Sequence, residues 1–377
     1  MKNFFARIAD YIRESDKLLM LLCFFSSVYG CIAVLSATRP TGDLRQFIVQ
    51  VAALILGFAC AIFVSLFDYK NIARFWPAIA FVGLIPVFLT FYIGVAPDGT
   101  DDKAWLLLPG GISFQPSELL KISFMITFAF HLYKLEDRIH SFLHILLLCL
   151  HAAIPVLIIH FQGDDGTALI FAFIALCMMF VSGIKLRYFI IASVLGLTSV
   201  PFVFFFILSD QQRSRILTLF NPESDLLGTG WQQWRGRIAL ANGGLFGRGL
   251  FKGPNVQAQT VPEGYNDFIF ASIGEELGLL GCLVVILLLS AICLRVLSNA
   301  HKSRDSLGSF ICVGVFAMLT AQIIVNLGMC LSLSPVIGVT LPFFSAGGSS
   351  VVCLYLGIGL VLSVYMHRNS RTIYLRD

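Results

Sequence analysis

The chain has 377 residues, of which 57% are hydrophobic and 13% charged; its formal net charge is +4 and its mean hydropathy +0.85. In soluble domains about a quarter of the residues are charged, so the composition excludes an ordinary soluble protein and indicates an integral membrane protein. The ten cysteines all lie inside apolar runs, without partners at metal-ligand spacing. This argues against a disulfide framework or a zinc site as the basis of the fold.

Apolar runs able to cross a bilayer need roughly 20 residues. About ten such runs follow one another along the chain, at 18–37, 47–67, 75–95, 118–133, 141–160, 167–184, 187–208, 267–294, 307–333 and 349–366. The pattern predicts an all-α integral membrane protein with about ten transmembrane helices. We expect one transmembrane domain over residues 1–377.

The placement of Lys and Arg predicts the orientation. With the N-terminus inside, the inner segments hold Lys2, Arg7, Arg13, Lys17, Lys70, Arg74, Lys134, Arg138, Lys185, Arg187, Arg295, Lys302, Arg304, Arg368, Arg371 and Arg376. An even number of spans returns the C-terminus to the same side. Residues 1–17 and the tail 367–377 are therefore expected on the inner, cytoplasmic side of the membrane.

Polar, turn-rich sequence is concentrated on the predicted outer face. Residues 209–266, between the seventh and eighth spans, form a large extracytoplasmic loop; within it "WQQWRGRIAL" has helical spacing and "ANGGLFGRGLFKG" is typical of a tight turn. Two further outer segments are 96–117 and 334–348. Long loops of this kind usually carry function, so we expect the protein to act at the outer leaflet.

Ionisable residues at membrane depth are costly and therefore mark possible sites. Glu118 and Lys121 lie at i and i+3 on one helix face and can pair; they form either a self-neutralising buried pair or the wall of a polar cavity. Asp164 and Asp165 begin the sixth span, where helix capping is the favoured interpretation.

The stretch "VPEGYNDFIFASIGEELGLLG" (261–281) carries three carboxylates in an apolar context. Asp267 is either a helix cap, a role open to Asn266 as well, or a functional acid. Glu275 and Glu276 are interpreted as a structural, hydrogen-bonded pair beside glycines that allow close packing. The turn "SAGGSS" (345–350), which includes Ser349, is a possible backbone nest for an anion.

Four stretches resemble the SEDS family (shape, elongation, division and sporulation), which includes RodA and FtsW. They are "AWLLLPGGISFQPSELLKI", "GWQQWRGRIALANGGLFGRGL", "VPEGYNDFIFASIGEELGLLG" and "SPVIGVTLPFFSAGGSS", in the family's order and loop positions. Ile337–Gly338, in place of the Lys-Gly pair of division-type members, resembles the elongation-type RodA.

The resemblance implies a peptidoglycan glycosyltransferase that polymerises lipid II in cell elongation and shape, working with a class B penicillin-binding protein. The family's essential aspartate maps onto Asp267, its charged pair onto Glu118 and Lys121, and a basic residue of the first outer loop onto Arg45. The chain departs from the family pattern at "YNDFIF", at "QGDDGTA", and at Ala104, where members carry Arg before the loop tryptophan, here Trp105.

In that chemistry Asp267 is the expected general base, which removes the proton of the acceptor sugar hydroxyl. The leaving group, undecaprenyl pyrophosphate, requires positive charge rather than an acid. The expected substrate-binding or cavity residues are Glu118, Lys121, Arg45, Lys103, Trp105, Arg213, Arg215, Arg248 and Ser349, with Arg235, Arg237 and Lys252 as further cations. A divalent cation, Mg²⁺ or Mn²⁺, could assist at a site the sequence does not define.

Two other functions fit part of the pattern. A flippase or transporter for the lipid-linked precursor would also have intramembrane charges, although the sequence shows no inverted repeat. A non-catalytic scaffold for cell-wall enzymes would explain the large outer loop but not Asp267 or the charged pair. Nucleic-acid binding has no support beyond a few arginines.

Overall fold

The computed structural model describes residues 11, 13–96, 103–108, 112–220 and 229–369. Most of the predicted N-terminal segment 1–17, part of the outer segment 96–117, residues 221–228 and residues 370–377 of the tail lie outside this part. The α-helices are α1 Lys17–Thr38, α2 Arg45–Ser65, α3 Tyr69–Arg74, α4 Trp76–Ile93, α5 Pro116–Lys134, α6 Phe142–Phe161, α7 Asp165–Val181, α8 Leu186–Phe202, α9 Asp210–Phe220, α10 Thr229–Gly243, α11 Pro254–Gln257, α12 Ile269–His301, α13 Ser306–Cys330 and α14 Gly348–Met366.

Short elements complete the fold. A π-helical turn, Val203–Ile207, extends α8, and 3-10 turns lie at Arg39–Thr41, Glu136–Arg138 and His367–Asn369. The strands β1 Leu106–Leu108 and β2 Ile112–Phe114 form an antiparallel hairpin in which Leu107 lies opposite Ser113. Val95 and Trp105 form an isolated bridge beside it.

Helices cover all ten predicted spans, and the prediction of an all-α integral membrane protein is confirmed. Eight of them, α1, α2, α4, α6, α8 and α12–α14, are long and apolar enough to cross a membrane. The other two are α5, which carries Glu118 and Lys121, and α7, which has 17 residues.

The helix boundaries follow from local chemistry. Asp16, Asp68, Asp164 and Asp305 each accept a hydrogen bond from a backbone N–H in the first turn of α1, α3, α7 and α13, respectively. Such caps satisfy amides that have no partner inside the helix. Pro116 occupies the first position of α5, where its missing N–H costs nothing.

The centre of the bundle is formed by α13 and α14, which are the most buried of the eight spans. α14 packs along α2, and α13 contacts α5, α7 and α12. Small residues allow the α2–α14 approach: a Cβ on Gly57 would lie 2.9 Å from Tyr355, and one on Gly359 would lie 2.8 Å from the Ala61 carbonyl. α8, by contrast, has no buried residue.

Because successive spans alternate in direction, the loops collect at two ends of the bundle. The Asp267 end carries the β1–β2 hairpin, α9–α11 and residues 331–347. The Lys134 end carries the basic connections, where Lys70 pairs with Asp305 at 2.6 Å and Arg295 pairs with Asp16 at 2.8 Å.

The predicted loop 209–266 is more ordered than a loop. It contains α9, α10 and α11, and the expected helix at "WQQWRGRIAL" is part of α10. The expected glycine-rich turn follows, with positive φ at Gly244, Gly247 and Gly249. The tertiary contacts that order this segment join residues about thirty positions apart.

That turn docks against an interruption in α12. Gly278 has φ 67° and ψ −166°, which breaks the helix. Leu279 N donates to the Gly244 carbonyl at 2.9 Å, and Arg248 N donates to the Glu275 carbonyl at 2.9 Å. Backbone groups released by a helix break need such partners, so the glycine turn and the break stabilise each other.

Candidate active site

Asp267 lies in a turn, residues 261–268, that is fixed by the segment before α14. The Ser345 hydroxyl donates to the Asn266 carbonyl at 2.8 Å, and Ala346 N donates to the Tyr265 carbonyl at 2.9 Å. Gln50 of α2 braces this segment by donating to the Ser345 carbonyl and accepting from Gly347 N, both at 3.0 Å. The backbone around Asp267 is therefore held by residues that are remote in sequence.

The Asp267 backbone is also tied to α13. Asn326 Nδ2 donates to the Asp267 carbonyl at 2.9 Å and to the Val339 carbonyl at 2.7 Å. The N-cap of α12 is Phe268, which makes no side-chain capping hydrogen bond. The interpretation of Asn266 or Asp267 as the helix cap was therefore wrong, and the Asp267 carboxylate has no capping role.

The Asp267 carboxylate is partly buried and faces Gly338. A Cβ on Gly338 would lie 3.7 Å from Asp267 Oδ2. The side chain of Asp267 accepts no hydrogen bond and forms no ion pair with any residue that the structure describes. Burial, together with the like charges of Glu263 and Asp164, raises the pKa of Asp267 to about 7. A carboxyl group in this state can exchange a proton near neutral pH.

Glu118 and Lys121 form the predicted pair in the first turns of α5. Lys121 Nζ lies 2.7 Å from Glu118 Oε1, and both side chains are buried. Glu118 also lines a small cavity of about 10 Å³, with Gln322 and Ser345 among its other walls. That volume is close to the space of one water molecule. Glu118 and Lys121 thus form a self-neutralising buried pair, and Glu118 also borders this small cavity.

Asp164 connects the charged pair to Asp267. Its Oδ1 accepts from Thr167 N at 2.9 Å, as the capping hypothesis predicted, and its Oδ2 accepts from Gln115 Nε2 at 3.0 Å. Gln115 N in turn donates to the Ser349 hydroxyl at 3.3 Å. The charges of Glu118 and Lys121 both act on Asp164, and that of Asp164 acts on Asp267. Ser349, Asp164, the pair on α5 and Asp267 thus belong to one polar region.

Glu275 and Glu276 have structural partners, in agreement with their interpretation. Glu275 accepts from Asn255 N at 3.1 Å and from Val256 N at 2.8 Å, which fixes α11. Glu276 accepts from the Ser36 hydroxyl at 2.6 Å and from Gln257 Nε2 at 3.0 Å. Both are buried, and their hydrogen bonds anchor the segment that leads into the Asp267 turn.

Two of the predicted cations have structural roles instead of open positions. Arg213 donates to the carbonyls of Phe204 and Leu208 at 3.1 and 3.2 Å and so closes the end of the α8 segment. Arg235 donates to the Thr260 carbonyl at 3.1 Å and stacks over Trp231.

The other predicted binding residues remain predictions. Arg45 is the exposed first residue of α2, Lys103 is exposed, and Trp105 lies in the bridge with Val95. Arg215 is partly buried; its Nε is buried and has no hydrogen-bond partner in the described part of the chain. Exposed side chains are also found at Arg237, Arg248 and Lys252. Positive charge therefore surrounds this end of the bundle, whereas the charges that act on Asp267 itself are acidic.

Sequence reasoning missed the residues that hold the site together. These are Gln50, Gln115, Asn326 and Ser345, whose contacts are described above. Amide side chains inside otherwise apolar helices are a recognisable signal of buried hydrogen bonds between helices. Gln50 and Asn326, both buried, fit that signal.

The chain matches a known family along most of its length. The family described as "Cell cycle protein", which groups FtsW, RodA and SpoVE, matches residues 16–370. The chain belongs to this family. The predicted SEDS membership and its likeness to RodA are confirmed.

Similar proteins support the assignment. Peptidoglycan glycosyltransferase MrdB of Escherichia coli is 31% identical over 94% of both chains, and the probable peptidoglycan glycosyltransferase FtsW of Geobacter metallireducens is 32% identical over 94% of this chain and 95% of that protein. The prediction that this SEDS protein is a glycosyltransferase is confirmed.

Solved structures share the fold. A chain from a peptidoglycan synthase complex, studied for the structural coordination of polymerization and crosslinking, has a TM-score of 0.82 at 27% identity, covering 94% of this chain and 98% of that chain. RodA of Thermus thermophilus has a TM-score of 0.68 at 24% identity over 94% and 98% of the two chains. The RodA likeness at this identity supports the fold alone.

Proposed function

We propose that this SEDS protein polymerises lipid II into peptidoglycan glycan strands at the outer face of the cytoplasmic membrane, with Asp267 as the general base. The observation that carries the proposal is the Asp267 carboxylate: its backbone is fixed by Asn326 and its pKa is about 7, while no described residue pairs with its side chain. The names of the relatives, peptidoglycan glycosyltransferases, support the choice of substrate.

In the proposed step the acceptor sugar hydroxyl transfers its proton to an Asp267 oxygen as the hydroxyl oxygen attacks the anomeric carbon of the donor. The bond between that carbon and the pyrophosphate oxygen breaks, and undecaprenyl pyrophosphate leaves with the electron pair. A base with a pKa near the working pH contributes about 10²–10⁴-fold to such a reaction. A single displacement inverts the anomeric centre and needs no covalent enzyme intermediate.

The leaving group carries negative charge and is stabilised by cations. Arg45, Lys103, Arg215 and Arg248 are proposed for this role, because they lie at the Asp267 end and are exposed or partly buried. Arg213 is a weaker choice, since its guanidinium already binds backbone carbonyls. Ser349 and Trp105 are kept as proposed cavity residues.

A divalent cation is proposed without a site. Among the described residues, no group of three or more His, Cys, Asp or Glu side chains could hold a metal ion. Mg²⁺ is commonly held by one or two carboxylates together with substrate phosphates. A required Mg²⁺ or Mn²⁺ would therefore have to be held in part by the pyrophosphate of the donor substrate. No step of the mechanism is assigned to the cation.

The proposed setting is the inner membrane of a bacterium, with both termini in the cytoplasm and a class B penicillin-binding protein as partner. Basic loops at the Lys134 end support this orientation by the positive-inside rule. The likeness to a chain of a peptidoglycan synthase complex supports the partner. A role in elongation and shape rests on the resemblance to elongation-type members at Ile337–Gly338.

The test is polymerisation by the purified protein with its transpeptidase partner, supplied with lipid II in detergent and a divalent cation. Wild type should make glycan strands, Asp267→Asn should make almost none, and Asp210→Asn, an exposed carboxylate at the same end, should match wild type. Strands from Asp267→Asn would overturn the base assignment. No strands from wild type would favour lipid transport or scaffolding.

A further inference from the structure

A second cavity lies away from Asp267, between α4, α5 and α6. It encloses about 520 Å³, within the range of pockets that bind a small organic molecule. Its walls are mainly apolar, with Ala80, Leu84, Leu120, Phe124, Ile154 and Pro155 among them. Trp76, Leu147 and Leu150 also line it and are 44%, 42% and 60% exposed, so the cavity opens sideways toward the surrounding lipid.

The length of the cavity suits one leaflet of a bilayer. It follows α4 from Trp76 to Leu84 and α6 from Leu147 to Pro155, eight helical steps each, or about 12 Å at 1.5 Å per residue. Along α5 it extends from Lys134 to Leu120, about 21 Å. One leaflet is half of a hydrocarbon core about 30 Å thick, or about 15 Å. The cavity is of comparable length, so an acyl chain can enter it from the Lys134 end.

One wall of this cavity is polar. Thr127, His131 and His151 line it; His151 Nε2 lies 3.4 Å from Thr127 Oγ1, and the two histidine Nδ1 atoms are 3.1 Å apart. Thr127 Oγ1 donates its proton to the Phe124 carbonyl at 3.1 Å, so it accepts from His151 Nε2–H. His151 Nδ1 is then an acceptor, and His131 Nδ1–H is the donor to it.

This proton order leaves His131 Nε2 as a hydrogen-bond acceptor without a described partner. A neutral imidazole carries one donor and one acceptor nitrogen, and the donor of His131 is used by His151. His131 lines the cavity, and this acceptor suits a ligand hydroxyl, one helical turn from Lys134.

Lys134 supplies a cation at the mouth of the cavity. It is exposed, its Nζ lies 5.7 Å from the centre of the Phe130 ring, and none of the described salt bridges includes it. Two acids are near in sequence: Glu136 accepts from the Ser306 hydroxyl at 2.8 Å, and Asp137 is exposed. Arg74, two residues before the lining residue Trp76, and Arg138 keep this edge basic.

We infer that the cavity between α4, α5 and α6 binds one phospholipid with an anionic, hydroxylated headgroup, of the phosphatidylglycerol type. The phosphate pairs with Lys134, a headgroup hydroxyl donates to His131 Nε2, and an acyl chain fills the apolar part. The phosphate, the hydroxyl donor and the acyl chain thus each have a matching feature in the cavity. The inference does not depend on the proposed catalytic function.

Native mass spectrometry of the full-length protein, titrated in detergent with defined lipids, tests the inference. For the first bound lipid we expect phosphatidylglycerol to bind roughly fivefold more tightly than phosphatidylcholine, the effect of one basic residue near an anionic headgroup. It should also bind more tightly than phosphatidylmethanol, which has the same charge and no hydroxyl, by roughly fivefold for one hydrogen bond.

Matched variants separate the contributions. Lys134→Gln should remove the preference for phosphatidylglycerol over phosphatidylcholine, whereas Lys185→Gln, an exposed lysine of another connection at the same end, should keep it. His131→Phe should remove only the preference over phosphatidylmethanol. Ala80→Phe should fill the cavity and abolish the tight first site, whereas Ala78→Phe, on the exposed face of the same helix, should not.

Equal affinity of the wild type for all three lipids would mean that only general surrounding lipid is bound, and the inference would be wrong. Unchanged tight binding by Ala80→Phe would also overturn it, because the occupied site would then lie elsewhere. If Lys134→Gln and His131→Phe both keep the two lipid preferences, the proposed headgroup contacts are wrong.

Discussion

The Asp267 turn and the Glu275–Glu276 pair use the same chemical group in opposite ways, eight residues apart. Glu275 and Glu276 are buried and accept hydrogen bonds from α11 and from Ser36 of α1. The Asp267 carboxylate is partly buried and accepts none from the described residues, although its backbone carbonyl is fixed by Asn326. One site fixes side chains, and the other fixes the backbone and leaves the side chain available.

This difference separates structural from reactive carboxylates. A carboxylate whose lone pairs are already used gains little from a substrate proton, and its removal leaves buried donors without partners. A carboxylate with free lone pairs, raised pKa and an immobile backbone contributes little to folding but can take a proton. Depth of burial does not identify the reactive carboxylate, since Glu275 is buried more deeply than Asp267.

The largest effect is expected at Asp267. Asp267→Asn keeps the shape of the side chain and removes its basicity, so polymerisation should fall by about 10²–10⁴-fold. Because the carboxylate accepts no described hydrogen bond, the thermal unfolding midpoint in detergent should stay within a few degrees of wild type. Strand synthesis from lipid II measures the loss of activity, and a thermal melt measures the stability. A large loss of stability would place Asp267 with the structural carboxylates.

Glu275 should show the reverse pattern. Glu275→Ala leaves Asn255 N and Val256 N without an acceptor, which should lower the free energy of unfolding by roughly 3 kcal/mol, within the range for losing hydrogen bonds to a buried charged group. Thermal or denaturant unfolding in detergent measures this. Asp267→Ala is the matched control and should unfold near the wild-type midpoint. If Glu275→Ala and Asp267→Ala destabilise the protein equally, the distinction between the two sites is wrong.

The pH dependence of polymerisation should follow Asp267. Its pKa is raised to about 7 by burial first and by Glu263 and Asp164 second. Only the deprotonated form is a base, so activity is lost as pH falls through 7. With one titrating group the rate should drop about fivefold between pH 7 and pH 6. Glu263→Gln removes one like charge and should move the midpoint to lower pH; a rate that is flat from pH 5.5 to 8 would contradict the assignment.

Hydropathy predicted the ten spans because the thickness of the bilayer fixes how long an apolar helix must be. Local signals also sufficed for Asp164, which caps α7 as expected, and for the helix and glycine turn inside 209–266. In each case the information lies within a few neighbouring residues.

The arrangement around Asp267 was beyond such signals. Whether Asn266 or Asp267 capped α12 could not be decided locally, because the turn is shaped by Ser345 and Ala346, about eighty residues later. The break at Gly278 depends on its pairing with residues 244–249. Glycine spacing suggested close packing there, but the partner of that packing is set by the tertiary fold.

The smallest effect is expected at Gly338, which faces the Asp267 carboxylate with φ +66°. Gly338→Ala should cost roughly 1 kcal/mol for a left-handed backbone and place a methyl group 3.7 Å from Asp267 Oδ2. Polymerisation should fall by at most about tenfold, below the loss of about 10² that a 1 Å misplacement of reacting groups can cause. Gly42→Ala is the control, because Gly42 has φ +71° and no atom within 4 Å of its Cβ position. It should show a comparable loss of stability with full activity. If the two variants lose activity equally, backbone strain alone explains the effect, and the space between Gly338 and Asp267 has no part in catalysis.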